Sequence, residues 1–289
     1  MKITFGGYTA TVGTLSSMAV LFCLPSMAFA STLLGSAQSF AVLGGQAVTN
    51  AGTTAISGSL GVYPGSAITG LTAANVSNGT LYTAADAVVG QAQNDERYAY
   101  NALALLPADF TLLNPELGGL TLTPGVYKFS SGAQLTGSLT LDFQNNTDAQ
   151  FVFQIATTLK TGSASSVTVL HGTATDGIFW QVGSSATLGT TTSFAGNILA
   201  LTSIVLETGA KIECGRAFAQ TGAVTMQSNV ISGNCSVNVS GPNDFGSGGF
   251  SPTSNLQIAT PEPGTFLPFG ISLGLGLVAF TLKYSARKK

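Results

Sequence analysis

Four stretches decide the fold: Phe151-Val152-Phe153-Gln154-Ile155, Ile178-Phe179-Trp180-Gln181-Val182, Ile198-Leu199-Ala200-Leu201-Thr202 and Arg216-Ala217-Phe218-Ala219-Gln220. Each is a short apolar run bounded by Gly, Ser and Thr, the pattern of a buried strand. Their starts step by 27, 20 and 18 residues (151 to 178, 178 to 198, 198 to 216), and a polar insert at 171–177 accounts for the longer first step. A second register runs beside the first: Thr136-Gly137, Thr161-Gly162 and Thr208-Gly209 mark turns, with Thr190-Thr191 at the equivalent point. Repeats of roughly 20 residues built from strands alone imply a β-solenoid whose coils stack and share one core. Three strands of about five or six residues plus tight corners fill such a coil, with coils about 4.8 Å apart. Evenly spaced short strands also suit a β-sandwich, and this alternative stands beside the solenoid.

Outward from these strands, residues 83–106 read as one long helix. Gly90 is the sole glycine there, Pro107 closes the segment, and Ala85, Val88, Ala92, Ala99, Leu103 and Leu106 recur along one face. Thr83 with Asp86 three residues on is a weak capping box. Asp95, Glu96 and Arg97 interrupt the stripe and are expected to face solvent. The helix reads as structural, lying on a sheet.

Composition excludes several activities. Of 289 residues only 8% are charged, against about 25% in an ordinary soluble domain, while 45% are hydrophobic and 36 are glycine. A net charge of -2 supplies no basic stripe for nucleic acid. The single histidine, His171, and three cysteines without a C-x-x-C pair do not make a metal site. Asp142, Asp148 and Asp176 sit in polar turns with Asn145, Asn146 and Gly177, where Asp is favoured for backbone reasons. The chain is therefore read as a non-enzyme that needs no cofactor. Cys214 and Cys235 stand one coil length apart; they either form a disulfide in an oxidising compartment or are two buried thiols.

The ends read as addresses. Residues 1–30 carry Lys2, an apolar run at 18–24 and Ala28-Phe29-Ala30, the layout of a secretory signal peptide that would remove Cys23. The body at 31–239 is followed by a Gly/Ser/Pro/Asn-rich linker at 240–260 whose one charge is Asp244. Then Pro261-Glu262-Pro263-Gly264 precedes an apolar stretch at 265–282 and a basic tail of Lys283, Arg287, Lys288 and Lys289. Length and charge suit a one-pass anchor with its tail on the cytoplasmic side. The three parts in this order resemble the PEP-CTERM sorting signal, with Pro261, Glu262 and Pro263 as the tripeptide. That resemblance implies transient membrane anchoring, processing by an exosortase-type enzyme, and delivery to the cell surface or extracellular matrix of a Gram-negative bacterium.

Within the body, an ordered set of words resembles the DUF3494 family of ice-binding proteins. They are Phe40-Ala41-Val42-Leu43-Gly44-Gly45, Thr49-Asn50, Gly58-Ser59-Leu60-Gly61-Val62, Pro64-Gly65, Leu120-Thr121-Leu122-Thr123-Pro124-Gly125-Val126-Tyr127, Phe151 to Ile155, Trp180-Gln181-Val182-Gly183-Ser184 and Gly196-Asn197-Ile198-Leu199-Ala200. The resemblance implies a mainly β architecture, a right-handed triangular β-helix with one long α-helix packed alongside. It also implies adsorption to ice through one flat face, which limits crystal growth or recrystallisation. Some members carry Thr-Gly/Ala-x-Thr/Asn turns on that face. The corresponding turns here are Ala51-Gly52-Thr53-Thr54, Thr190-Thr191-Thr192-Ser193 and Thr208-Gly209-Ala210-Lys211, of which only the first keeps the small-Gly-x-Thr pattern; Thr53, Thr54, Thr190, Thr192 and Thr208 are the candidate ice-contacting residues. Lys211, with Glu207 and Glu213 nearby, departs from the pattern. The other reading of the same chain is a matrix or adhesion solenoid that binds extracellular polysaccharide and leaves ice unaffected.

Overall fold

A computed structural model describes residues 33–83, 86–172 and 176–233. The segments at 1–30, 240–260 and 261–289 lie outside the described residues, as does Cys235. Among the described residues no helix is long and apolar enough to cross a membrane.

Among the described residues every strand pairing is parallel, and the strands fall into three sheets that form the sides of a triangular β-solenoid. Sheet I runs in the order Ser59–Val62, Phe40–Gly44, Ala217–Ala219, Asn197–Ala200, Gly177–Val182, Gln150–Ile155, Gly125–Phe129, Phe110–Leu112. Sheet II runs Ala133–Leu135, Leu159–Thr161, Ala186–Leu188, Ile204–Leu206, Ala223–Gln227, Ala47–Ala51, Ala67–Thr69. Sheet III runs Val76–Ser77, Ala55–Ser57, Val230–Ser232, Lys211–Cys214, Ser193–Ala195, Ser166–Leu170, Ser138–Asp142, Thr121–Leu122. All four sequence repeats lie in sheet I, one per coil. The stack is spliced: the coils from 40–57 and 59–77 do not begin it but continue it beyond the coil at 217–232.

The interior follows from alternation along each strand, because successive side chains point to opposite faces. In sheets II and III the central residue of a triplet such as Leu159-Lys160-Thr161 faces out while its neighbours face the core. Sheet I is different: Gly177–Val182 and Asn197–Ala200 are buried along their whole length, because the helix covers their outer face. The inner row of sheet I is aromatic at one end. Trp180 stacks on Phe153 at 3.9 Å between ring centroids, Phe153 on Tyr127 at 5.5 Å, and Tyr127 on Phe110 at 4.9 Å. The Trp180 Nε1–H donates to the Ala195 carbonyl at 3.0 Å, so the indole is buried with its polar edge satisfied. Toward the splice the same row narrows to Ile198, Ala217, Val42 and Leu60.

The helix spans Ala87–Ala104, shorter at both ends than the sequence pattern predicts. Thr83 donates from its N–H (2.9 Å) and Oγ1 (3.1 Å) to Asp86 Oδ2, forming a turn ahead of the helix rather than a cap inside it. Ala92, Ala99, Leu103 and Leu106 face the sheet as the stripe requires, but Val88 is 47% exposed and Val89 is buried instead. Glu96 corrects the expectation that the charged triplet faces solvent: its side chain is fully buried against sheet I. The strands beneath present Gln154, Gln181 and Asn197 outward, so this interface is partly polar and admits polar partners from the helix.

Arg216, only 2% exposed, binds the splice together. Its guanidinium donates from Nε (3.0 Å) and Nη2 (2.8 Å) to the Gln38 carbonyl, from Nη1 to Asn197 Oδ1 (3.0 Å) and from Nη2 to the Gly233 carbonyl (3.1 Å). Cys214 is disulfide-bonded, and its partner lies outside the described residues.

Candidate functional site

Each coil turns from sheet II to sheet III through one residue in the left-handed region: Gly137, Ala164, Thr191, Gly209, Ser228, Gly52 and Gly70. Glycine adopts that geometry without steric penalty, which explains the Thr-Gly pairs at 136–137 and 208–209; in the pair at 161–162 the left-handed residue is Ala164, two positions on. The five candidate threonines all belong to this corner. Thr192 is fully buried and Thr54 is 2% exposed. The Thr192 hydroxyl lies 2.7 Å from Thr161 Oγ1 and reaches the Gly162 carbonyl at 3.2 Å. Thr54 Oγ1 donates to Asn50 Oδ1 at 2.5 Å and accepts the Asn229 N–H at 3.0 Å. These two hydroxyls are therefore committed inward, as an internal ladder that fastens one coil to the next. Thr53, Thr190 and Thr208 remain at the surface of the corner; Thr190 donates to Glu207 Oε2 (3.2 Å) and Thr208 to Gln227 Oε1 (3.0 Å).

The broad surface lies beside that corner, on sheet II. Its outward central row aligns across seven coils as Gln134, Lys160, Thr187, Val205, Thr225, Thr49 and Thr69. No register shift interrupts it, so the side chains repeat at the spacing of the backbone ladder, about 4.8 Å. A parallel row of small residues flanks it. There Ser185 Oγ accepts the Ser203 N–H and Ser203 Oγ accepts the Ala223 N–H, both at 3.3 Å, with Ala47 and Ala67 in register beyond. The hydroxyls of Thr49 and Thr225 touch across adjacent coils at 3.3 Å. From Ala186–Leu188 to Ala67–Thr69 no strand residue of this sheet is charged, which gives an uncharged plane about 19 Å long over five coils. Lys160 bounds it at one end and Glu207 at the corner.

The other two sides differ. Sheet I is covered by the helix across its central strands, and beyond them Lys128 stands exposed on Gly125–Phe129. Sheet III carries Lys211 and Glu213 on its exposed positions, and its register shifts between Phe194 and Ala195. At its rim, His171 Nδ1 lies 2.7 Å from Asp142 Oδ1, and this contact with a backbone N–H from Gln144 holds the Asp142 carboxyl below its ordinary range. Asp176, buried one coil over, accepts the Ala149 N–H at 2.9 Å and so serves the turn. Asp148 occupies a left-handed turn position. Among the described residues no group of three or more His, Cys, Asp or Glu side chains is placed to hold a metal ion.

The central row of sheet II escapes a motif search because Val205 breaks its run of threonines and because Thr187, Thr225 and Thr49 carry no neighbouring Gly. The signal that does find it is register: residues 187, 205 and 225 occupy the same position after successive apolar neighbours. Comparisons with known proteins agree with the architecture. An ice-binding protein of Nostoc sp. (strain HG1) is 57% identical over 204 residues, covering 71% of this chain and 75% of its own. The crystal structure of an ice-binding protein from an Antarctic biological consortium is 44% identical with a TM-score of 0.64, covering 70% of this chain and 91% of that one. That of the ascomycete Antarctomyces psychrotrophicus gives 40% and 0.65, covering 70% and 98%. The family model described as ice-binding-like matches residues 42–232, and the chain belongs to that family.

Proposed function

We propose that the protein adsorbs to ice through sheet II and so restrains crystal growth and recrystallisation, without catalytic turnover. One observation carries the reading: Thr187, Val205, Thr225, Thr49 and Thr69 form an in-register, uncharged row on a plane that the backbone ladder holds fixed. Hydroxyls bond to first-shell water while the adjacent methyl groups leave that water no competing partner, and a charge would impose its own hydration instead. Immobilising each ordered water costs up to about 2 kcal/mol, so a surface that repeats five times and has little freedom left to lose spreads the cost over many contacts. Thr53, Thr190 and Thr208 border the plane at the corner, while Thr54 and Thr192 support it from within.

The experiment is an ice-recrystallisation assay on the purified protein and two variants. Thr225→Lys places a mobile ammonium at the centre of the row and is expected to abolish the activity; Thr168→Lys, on sheet III, leaves it unchanged. A wild-type protein that leaves crystals growing as in an inert control overturns the reading, and binding to extracellular polysaccharide then becomes the activity to assay.

We further read residues 1–30 as an export signal and Pro261-Glu262-Pro263 with the apolar 265–282 segment and basic tail as a sorting signal handled by an exosortase-type enzyme. This reading puts the ice-binding body outside the cell or at its surface. An oxidising compartment of that kind suits the disulfide at Cys214, for which Cys235 is the proposed partner.

A further inference from the structure

Between the helix and sheet I lies a group of polar atoms that the adsorbing face does not use. Gln93 Nε2 donates to the carbonyls of Ala219 and Gln220, both at 3.2 Å, which fixes the amide over the end of strand Ala217–Ala219. Glu96 is one helical turn further along the same face and wholly buried. Four buried atoms in this place lack a partner in full hydrogen-bond geometry: Gln93 Oε1, both carboxyl oxygens of Glu96, and Gln220 Nε2, although the Gln220 amide lies near enough to Glu96 to favour its charged form somewhat. Three are acceptors and one is a donor, so an ionised Glu96 leaves a carboxylate beside an amide oxygen, each short of protons. A buried group in that state is strongly disfavoured relative to the same group in water.

One added proton removes the mismatch. We propose that Glu96 is held as the neutral acid beneath the helix, its hydroxyl donating to Gln93 Oε1 and its carbonyl oxygen accepting the Gln220 amide, so that docking of the helix on the solenoid takes up a proton. This inference does not depend on what sheet II binds. The surroundings are consistent with it. On the helix itself the nearby charged group is Arg97, whose Nη2 is engaged by Asn94 Oδ1 at 2.5 Å; Asp95 instead accepts the N–H and hydroxyl of Ser36. Tyr100, buried against the Val182 carbonyl, is held above its ordinary range first by burial, and Gln181 and Gln220 are what the sheet contributes. Burial dominates for Glu96 as well, pushing its carboxyl from 4.5 to about 8, against smaller opposing effects of Gln220 and Arg97.

The sign of the resulting pH dependence follows. The folded state binds this proton more tightly than the unfolded chain, so its contribution is complete below the ordinary carboxylate range and is lost as pH rises toward about 8. Within that window the folding equilibrium moves by up to about tenfold per pH unit.

The decisive measurement is carbon-13 NMR of the full chain labelled at its glutamate side-chain carboxyls. One resonance is expected to titrate near pH 8 and to be missing in Glu96→Gln. If every glutamate completes its titration in the ordinary carboxylate range, the proposal is overturned. A second readout is the thermal midpoint between about pH 5 and 9, which should fall with rising pH in the wild type and much less in Glu96→Gln. Parallel curves for the two proteins also overturn it. Should Glu96→Gln fail to fold, the wild-type titration alone decides.

Discussion

Thr191 and Thr192 are chemically identical neighbours with opposite settings. Thr192 is sealed inside the corner, where its hydroxyl replaces a backbone partner for the neighbouring coil. Thr191 is exposed, with φ 54°, a geometry that crowds a β-branched side chain and costs on the order of 1–2 kcal/mol. Thr191→Gly relieves that strain and gives back part of the gain as unfolded-chain entropy, so we expect thermal unfolding to show roughly 0.5–1 kcal/mol of added stability. Recrystallisation inhibition should not change, because the residue belongs to the corner and not to the plane. Sequence distinguishes these two threonines poorly. Both sit in a hydroxyl-rich run, Thr190-Thr191-Thr192-Ser193, and only the three-dimensional turn decides which points inward.

At the scale of elements, the helix shows why a hydrophobic pattern is an incomplete guide. Ala92, Ala99 and Leu103 were legible because they are apolar and spaced three, four or seven apart. Gln93, Glu96 and Tyr100 were not, because a polar residue is buried only where its partner is polar too, and those partners come from strands some 80 to 130 residues away. The far end of the helix repeats the lesson. Gln154 projects from sheet I, and its Nε2 donates to the carbonyls of Leu103 at 2.7 Å and Leu106 at 2.8 Å, at the end of the helix where carbonyls lose their regular intrahelical donors. Gln154→Leu leaves the Leu106 carbonyl without this donor and the Leu103 carbonyl with the 3.4 Å bond from the Leu106 N–H, in a buried site, and we expect a loss of about 1–3 kcal/mol in denaturant unfolding. Hydrogen exchange should rise first in the last turn of the helix.

Across the whole molecule, the coil period and the turn residues were readable because the repeats at 151, 178, 198 and 216 are local in sequence. The splice was not. Pairing of Val42 with Ala217 joins residues far apart along the chain, and nothing in either strand's composition specifies it. The same holds for sheet II, whose row is completed by Thr49 and Thr69 from the first coils. Arg216 is the residue that depends on this arrangement most, since it reaches both Gln38 and Gly233. Arg216→Met leaves those carbonyls and Asn197 Oδ1 without their guanidinium donor; a cost of about 3 kcal/mol or more is expected in equilibrium unfolding, at any pH between 5 and 9.

The splice also separates the order of synthesis from the order of assembly. Of the described strands, those at 40–77 leave the ribosome first, yet the edge that receives them is made from residues 217–232, the last of these strands to emerge. Until then they have neither a template nor a lid, and the growing stack ends in open, adhesive edges at 197–214. Closure of so long a loop is slow relative to local pairing. The nascent stack therefore stays unfinished until residue 232 has been made, and a chain cut short anywhere before residue 217 has no seat for its own beginning.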